Sequence, residues 1–137
     1  MKSKILRGLR SLAAVLAGFV VVVVGTILTF EVVLGGIGFY KSSPTELVIA
    51  TIGALASGFA GGLVAARLAG RHPLWHAAGL AVPIGLDTAS FLASRNPASD
   101  PLWFDLGGSA TLVLGALIAG YLVRTKGRSR KTSLEAG

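Results

Sequence analysis

LVIATIGALASGFAGGLVAA, residues 47–66, is twenty positions without a formal charge, bounded by Glu46 and Arg67. At 1.5 Å of rise per residue such a run crosses a bilayer core of roughly 30 Å, so it predicts a transmembrane helix. Its side chains are sorted by size rather than polarity. Ala50, Ala54, Ser57, Gly61 and Ala65 fall on one face, with Gly58 and Gly62 beside them, and Ile52, Leu55, Phe59 and Leu63 fall opposite. A bulky face suits lipid and a small face suits another helix, so these seven small residues are the expected helix-packing positions.

The rest of the chain agrees with a membrane setting. Of 137 residues, 53% are hydrophobic and only 14% charged, too few polar groups to clothe a soluble domain of this size. The expected class is therefore all-α, an integral membrane bundle of four transmembrane helices. No cysteine is present, which removes disulfides, thiol nucleophiles and thiolate metal sites.

In chain order, residues 1–10 form a basic tail carrying Lys2, Lys4, Arg7 and Arg10. The uncharged run behind it, Ser11 to Phe30, is longer than the hydrophobic core of a signal peptide and predicts an uncleaved first helix, TM1, over 11–34. Glycines 35, 36 and 38 make the first loop, with Tyr40 at headgroup level. Ser43-Pro44-Thr45-Glu46 then reads as a capping box with proline at the first helical position, opening TM2 over 45–69. A tight turn through His72-Pro73 leads into TM3, 74–94. Pro83 inside TM3 should free the carbonyl of Gly79 and bend the helix. Asp100-Pro101 resembles a second N-cap before TM4, 102–123, which has Trp103 and Tyr121 near its ends. The membrane domain is thus 11–123, followed by a basic tail, 124–137, expected to be disordered.

Charge sets the orientation. The two tails and the TM2–TM3 turn hold eleven of the thirteen Lys and Arg residues, while the other loops hold only Lys41 and Arg95. Both termini are expected in the cytoplasm of a multi-pass cell-membrane protein. The net charge of +7 sits at the flanks of apolar runs instead of along a folded face. Anionic lipid at those flanks is therefore the expected partner, and no nucleic acid. Gly58, Arg67, Gly70 and Arg71 recur 57 positions later as Gly115, Arg124, Gly127 and Arg128. A duplicated hairpin would produce this echo, and so would two glycine-rich helices with basic ends.

Chemistry inside the bilayer can reside only in a few ionisable residues, because a charge in hydrocarbon needs a partner or a wet space. Glu31, Asp87, Asp105 and Arg95 all fall toward the outer side, Asp87 deepest. TM3 also has a polar edge of His76, Pro83, Asp87, Ser90 and Ser94. One reading makes Asp87 a titrating or cation-binding group tuned by Glu31, Asp105 and Arg95; the other makes it a hydrogen-bonded link between helices. His72 and His76 are four apart but lack a nearby carboxylate or thiolate, so headgroup-level histidines beside Trp75 are expected, not a metal site. With no phosphate loop, nucleophile elbow or HExxH helix, neither catalysis nor a cofactor is expected.

Gly58-Phe59-Ala60-Gly61-Gly62-Leu63-Val64-Ala65-Ala66-Arg67-Leu68-Ala69-Gly70-Arg71 resembles a pattern of small four-helix bacterial inner-membrane proteins without an assigned function. The resemblance implies an inner-membrane location. Small four-helix multidrug transporters carry a glutamate midway along the first helix, where Val20 to Val24 stand here, and the polar track of fluoride channels has no counterpart. Two functions are expected from these features: a structural or accessory subunit packing through the small faces of TM2, TM3 (Ala77, Ala81, Gly85, Ala89, Ala93) and TM4 (Gly107, Thr111, Gly115, Ala119), or a homo-oligomeric proton- or cation-linked transporter or channel using Asp87.

Overall fold

The computed structural model describes residues 2–36, 43–70, 72–94 and 102–135, the side chains of 2–5, 7 and 127–135 excepted. The described residues are helical apart from short caps, bends and turns, with no strand. Helix α1 (Lys2–Ile27) runs on as a π-helical turn, Leu28–Val33, and α2 spans Pro44–Ala69. Two short helices follow, α3 (Pro73–Gly79) and α4 (Ala81–Ala93), and α5 (Leu102–Glu135) closes the chain. Among the described residues three segments are long and apolar enough to cross a membrane, Gly8–Val33, Pro44–Ala69 and Leu102–Lys126. Large apolar side chains such as Leu16, Val24, Ile52, Leu86 and Leu114 point outward on all of the long helices and on α4, as hydrocarbon would favour and water would not.

The start of α2 follows from its first four residues. Ser43 Oγ accepts from the Glu46 amide at 3.3 Å, and a Glu46 carboxylate oxygen accepts from the Ser43 amide at 2.5 Å, so two orphan donors are satisfied reciprocally. At the other end Gly70 takes the left-handed conformation (φ 68°) that ends a helix cheaply only without a Cβ. Arg10 of α1 reaches that end and donates from Nε to the Leu68 carbonyl at 3.1 Å, tying the first helix to the last turn of the second.

Helix α2 lies between α1 and α5, and glycine sets both distances. On the α1 side, a Cβ added at Gly18 would stand 2.6 Å from the Gly61 carbonyl oxygen, and one at Gly61 would stand 2.5 Å from that of Gly18. On the α5 side, a Cβ at Gly58 would fall on the Leu112 carbonyl and one at Gly62 would lie 2.5 Å from Ala116 Cα. These contacts advance together along both chains, so α2 and α5 run parallel. Gly58 and Gly115, the glycines related by the 57-residue echo, lie side by side: a Cβ at Gly115 would come within 3.2 Å of the Gly58 carbonyl carbon. Ala50, Ser57, Gly58, Gly61, Gly62 and Ala65 are buried, together with Ala66, and Ala54 is half-buried. Little large apolar surface is covered this way; Leu80 is the largest fully buried side chain among the described residues. Adhesion comes from many close backbone contacts, each worth only about 0.1–0.2 kcal/mol.

The third apolar segment departs from the expectation of one helix over 74–94. Pro83 has no amide hydrogen for the Gly79 carbonyl, and the Leu80 amide bonds one residue short, to Ala77 O at 3.2 Å, which divides α3 from α4. Leu80 keeps near-helical angles (φ −64°, ψ −22°), and the Ile84 amide still reaches its carbonyl at 3.1 Å. Both pieces line up antiparallel to α5, because Ala77 meets Gly120 and Thr88 meets Ser109. Helix α3 packs against α2 and α5, while α4 packs closely only against α5.

The basic C-terminal tail is also corrected. Helix α5 continues without a break to Glu135, where disorder was expected. No proline follows Pro101, and a helix already nucleated in the membrane extends at low cost through Lys, Arg and Leu.

Candidate functional site

Because α4 stands off from α1 beyond Leu80, the end of the bundle that holds the N-terminus of α2 is open inside. A cavity of about 190 Å³ lies there between α1, α2, α4 and α5. Thr26 contributes from α1, Phe30 from the π-helical turn behind it, Ala50, Thr51 and Ala54 from α2, Asp87, Thr88 and Phe91 from α4, and Phe104, Asp105, Gly108, Ser109 and Leu112 from α5. A second space of about 230 Å³ shares Thr26, Asp87, Thr88, Ser109 and Leu112 with it and extends between α1 and α4 past Val22 and Ile84.

The polar lining has a clear local origin. Thr26, Thr51, Thr88 and Ser109 each donate to the carbonyl four residues earlier, at 2.9, 2.8, 2.8 and 3.0 Å, so each hydroxyl is tolerated in an apolar helix. Thr88 Oγ1 and Ser109 Oγ also lie 2.6 Å apart, linking α4 to α5. A hydroxyl has one hydrogen, so at any moment one of the pair donates across the helices and the other donates back along its own. Asp87 is exposed to the open space, and Asp105 is half-buried with one carboxylate oxygen out of reach of solvent. Two carboxylates and four hydroxyls form a set of hard oxygen donors. Such a set can hold a proton or a cation.

Of the four residues singled out in the sequence, the fold brings two together, Asp87 and Asp105. Glu31 does not join them. It sits exposed on the π-helical turn, where a Cβ added to Gly36 would lie 3.3 Å from its carboxylate. Arg95 lies outside the described residues. The rest of the TM3 polar edge is self-satisfied: Ser90 donates to Leu86 O at 2.9 Å, Ser94 to Ser90 O at 3.1 Å, and His76 Nδ1 lies 3.1 Å from His72 O.

The four hydroxyls and three phenylalanines were not singled out in the sequence, although α5 carried a usable signal. Asp105, Gly108, Ser109 and Leu112 are spaced i, i+3, i+4 and i+7, a single helical face. The small faces assigned to TM3 and TM4 divide in the structure. Ala77, Gly115 and Ala119 are buried, whereas Ala81, Gly85, Ala89, Ala93 and Gly107 are exposed and Thr111 is half-buried. Comparison of the chain with protein families, with curated proteins and with solved structures finds no match.

Proposed function

We propose that this is a small non-enzymatic integral membrane protein that crosses the bilayer four times, α3 and α4 together forming the third crossing, with both termini in the cytoplasm. It serves as an accessory subunit that docks on another membrane chain through α4. The observation that carries this reading is the contrast between small-residue faces. That of α2 and, on α5, Gly115 and Ala119 are used up inside the chain, while Ala81, Gly85, Ala89 and Ala93 line the exposed side of α4, and a Cβ at Gly85 would meet no atom within 4 Å. The bacterial inner membrane is the location that the glycine pattern at 58–71 supports.

The chain has no cysteine of its own, so Gly85→Cys gives a single reporter. Crosslinking it in native membranes is expected to yield an adduct with a chain of different mass. An adduct at twice the chain's mass favours a homo-oligomer, and the absence of any adduct contradicts docking through α4.

The shared cavity favours a second reading, a homo-oligomeric proton- or cation-linked transporter centred on Asp87. On that reading Asp87→Asn lowers proton flux into proteoliposomes by about tenfold or more, since the titrating group is gone, while the melting temperature in detergent is unchanged. Unaltered flux, or lost folding alone, makes Asp87 a structural residue.

A further inference from the structure

The opposite end of the bundle carries a feature that neither reading uses. Between α3 and α5 an apolar groove of about 530 Å³ is lined by Leu74, Trp75, Ala78, Leu117, Ile118 and Tyr121, among others. Its mouth is a polar pocket of about 270 Å³ formed by His72, Pro73, Leu74, Trp75 and Arg124. The two share Leu74 and Trp75, so a pocket with a cationic side chain adjoins an apolar trough.

Charge complementarity identifies the occupant. Arg124 is exposed, and the described carboxylate side chains, Glu31, Glu46, Asp87 and Asp105, belong to the other end; along α5 alone, Asp105 is about 28 Å from Arg124. Among the described residues no acidic side chain lies at this end to meet the guanidinium, so the pocket suits an anionic ligand. The exposed rings of Trp75 and Tyr121 flank the trough, as aromatic side chains do at the level of lipid glycerol and carbonyl groups. A comparable groove of about 570 Å³ between α1 and the α3–α4 segment has neither arginine nor lysine in its lining, so it offers an acyl chain a surface but offers a phosphate no guanidinium.

We propose that this is a binding site for one anionic glycerophospholipid. Its phosphate sits between the Arg124 guanidinium and the His72 imidazole, and the upper methylenes of one acyl chain lie in the trough between α3 and α5. The site rests on the membrane reading of α5 and is independent of whether the protein is an accessory subunit or a transporter. A forked guanidinium holds a phosphate through paired charge-assisted hydrogen bonds, while the trough replaces contacts the chain would otherwise make with other lipids.

The test uses the full chain in detergent, exposed to equal amounts of phosphatidylglycerol and phosphatidylcholine with matched acyl chains, and counts bound lipid by native mass spectrometry. The wild type is expected to retain phosphatidylglycerol roughly tenfold over phosphatidylcholine. Arg124→Gln should bring the two to parity, whereas Lys126→Gln, which removes a charge outside the pocket, should keep the preference. Ala78→Phe fills the trough and should reduce retention of phosphatidylglycerol with Arg124 still present. Ile118→Trp, at a more exposed trough position, gives the same readout if Ala78→Phe does not fold. Equal retention of both lipids by the wild type would overturn the proposal, as would an unchanged preference in Arg124→Gln. Displacement of the lipid by millimolar inorganic phosphate would also overturn it, because the site would then recognise phosphate without the chain.

Discussion

Gly58→Ala is expected to break the bundle, although it adds one methyl group. The new Cβ would fall on the Leu112 carbonyl and stand 2.7 Å from its carbon and 2.8 Å from the Leu112 Cα, all backbone atoms of a neighbouring helix. A side chain can rotate out of the way and a helix backbone cannot, so α2 and α5 must separate along their shared face. Overpacking of a tight core usually costs about 1–3 kcal/mol, and here the separation also loosens Gly62 against Ala116 and Gly115 against Leu55. Gly107→Ala is the matched control. It lies on α5, a Cβ there meets nothing within 4 Å, and the exchange should stabilise the helix by up to about 1 kcal/mol. Unfolding by SDS in mixed micelles, followed by circular dichroism, reads both. Equal midpoints for the two variants would mean that α2 and α5 are not held at the distance described.

Pro83→Ala should have the next largest effect, and in the opposite direction. An amide hydrogen at residue 83 can bond to the Gly79 carbonyl, so residues 73–93 become one helix and the C-terminal half of α4 moves toward α1. Proline in a helix interior costs about 3 kcal/mol, and part of that returns as stability. The space between α1 and α4 should shrink with it. In an Asp87→Cys background, labelling by a water-soluble maleimide is expected to slow by about tenfold when Pro83→Ala is added, because the thiol loses its open flank. An unchanged rate would place the cause of the divergence in side-chain packing instead of the missing hydrogen bond.

How much of this could be read beforehand depends on which forces act locally. Residues 47–66 were legible because length, size sorting and the Ser43–Glu46 capping box are all properties of a single helix. A bend at Pro83 was legible, because a missing donor acts within one turn, but the division into two helices at Leu80 was not. Nor was the membership of the polar cavity. Thr26, Thr51, Thr88 and Ser109 bond to their own helix four residues back, and apart from the face that Ser109 shares with Asp105 nothing in the sequence marks them as facing a common space. Glu31 was grouped with Asp87 by depth alone. Depth says nothing about rotation, and the π-helical turn at Leu28–Val33 changes the angular step that an α-helical period assumes. The echo between Gly58 and Gly115 gained a physical meaning only when the fold put the two glycines against each other.

The central claim is that α3 and α4, though separate helices, make one crossing, so that the chain spans the bilayer four times. Because the protein lacks cysteine, single cysteines at Ser3, Ser94 and Ser133 can report the side of each directly. A membrane-impermeant maleimide applied to sealed right-side-out cells is expected to label Ser94→Cys at once, and Ser3→Cys and Ser133→Cys only after permeabilisation. Labelling of one terminus but not the other in intact cells would mean three crossings and would contradict the account.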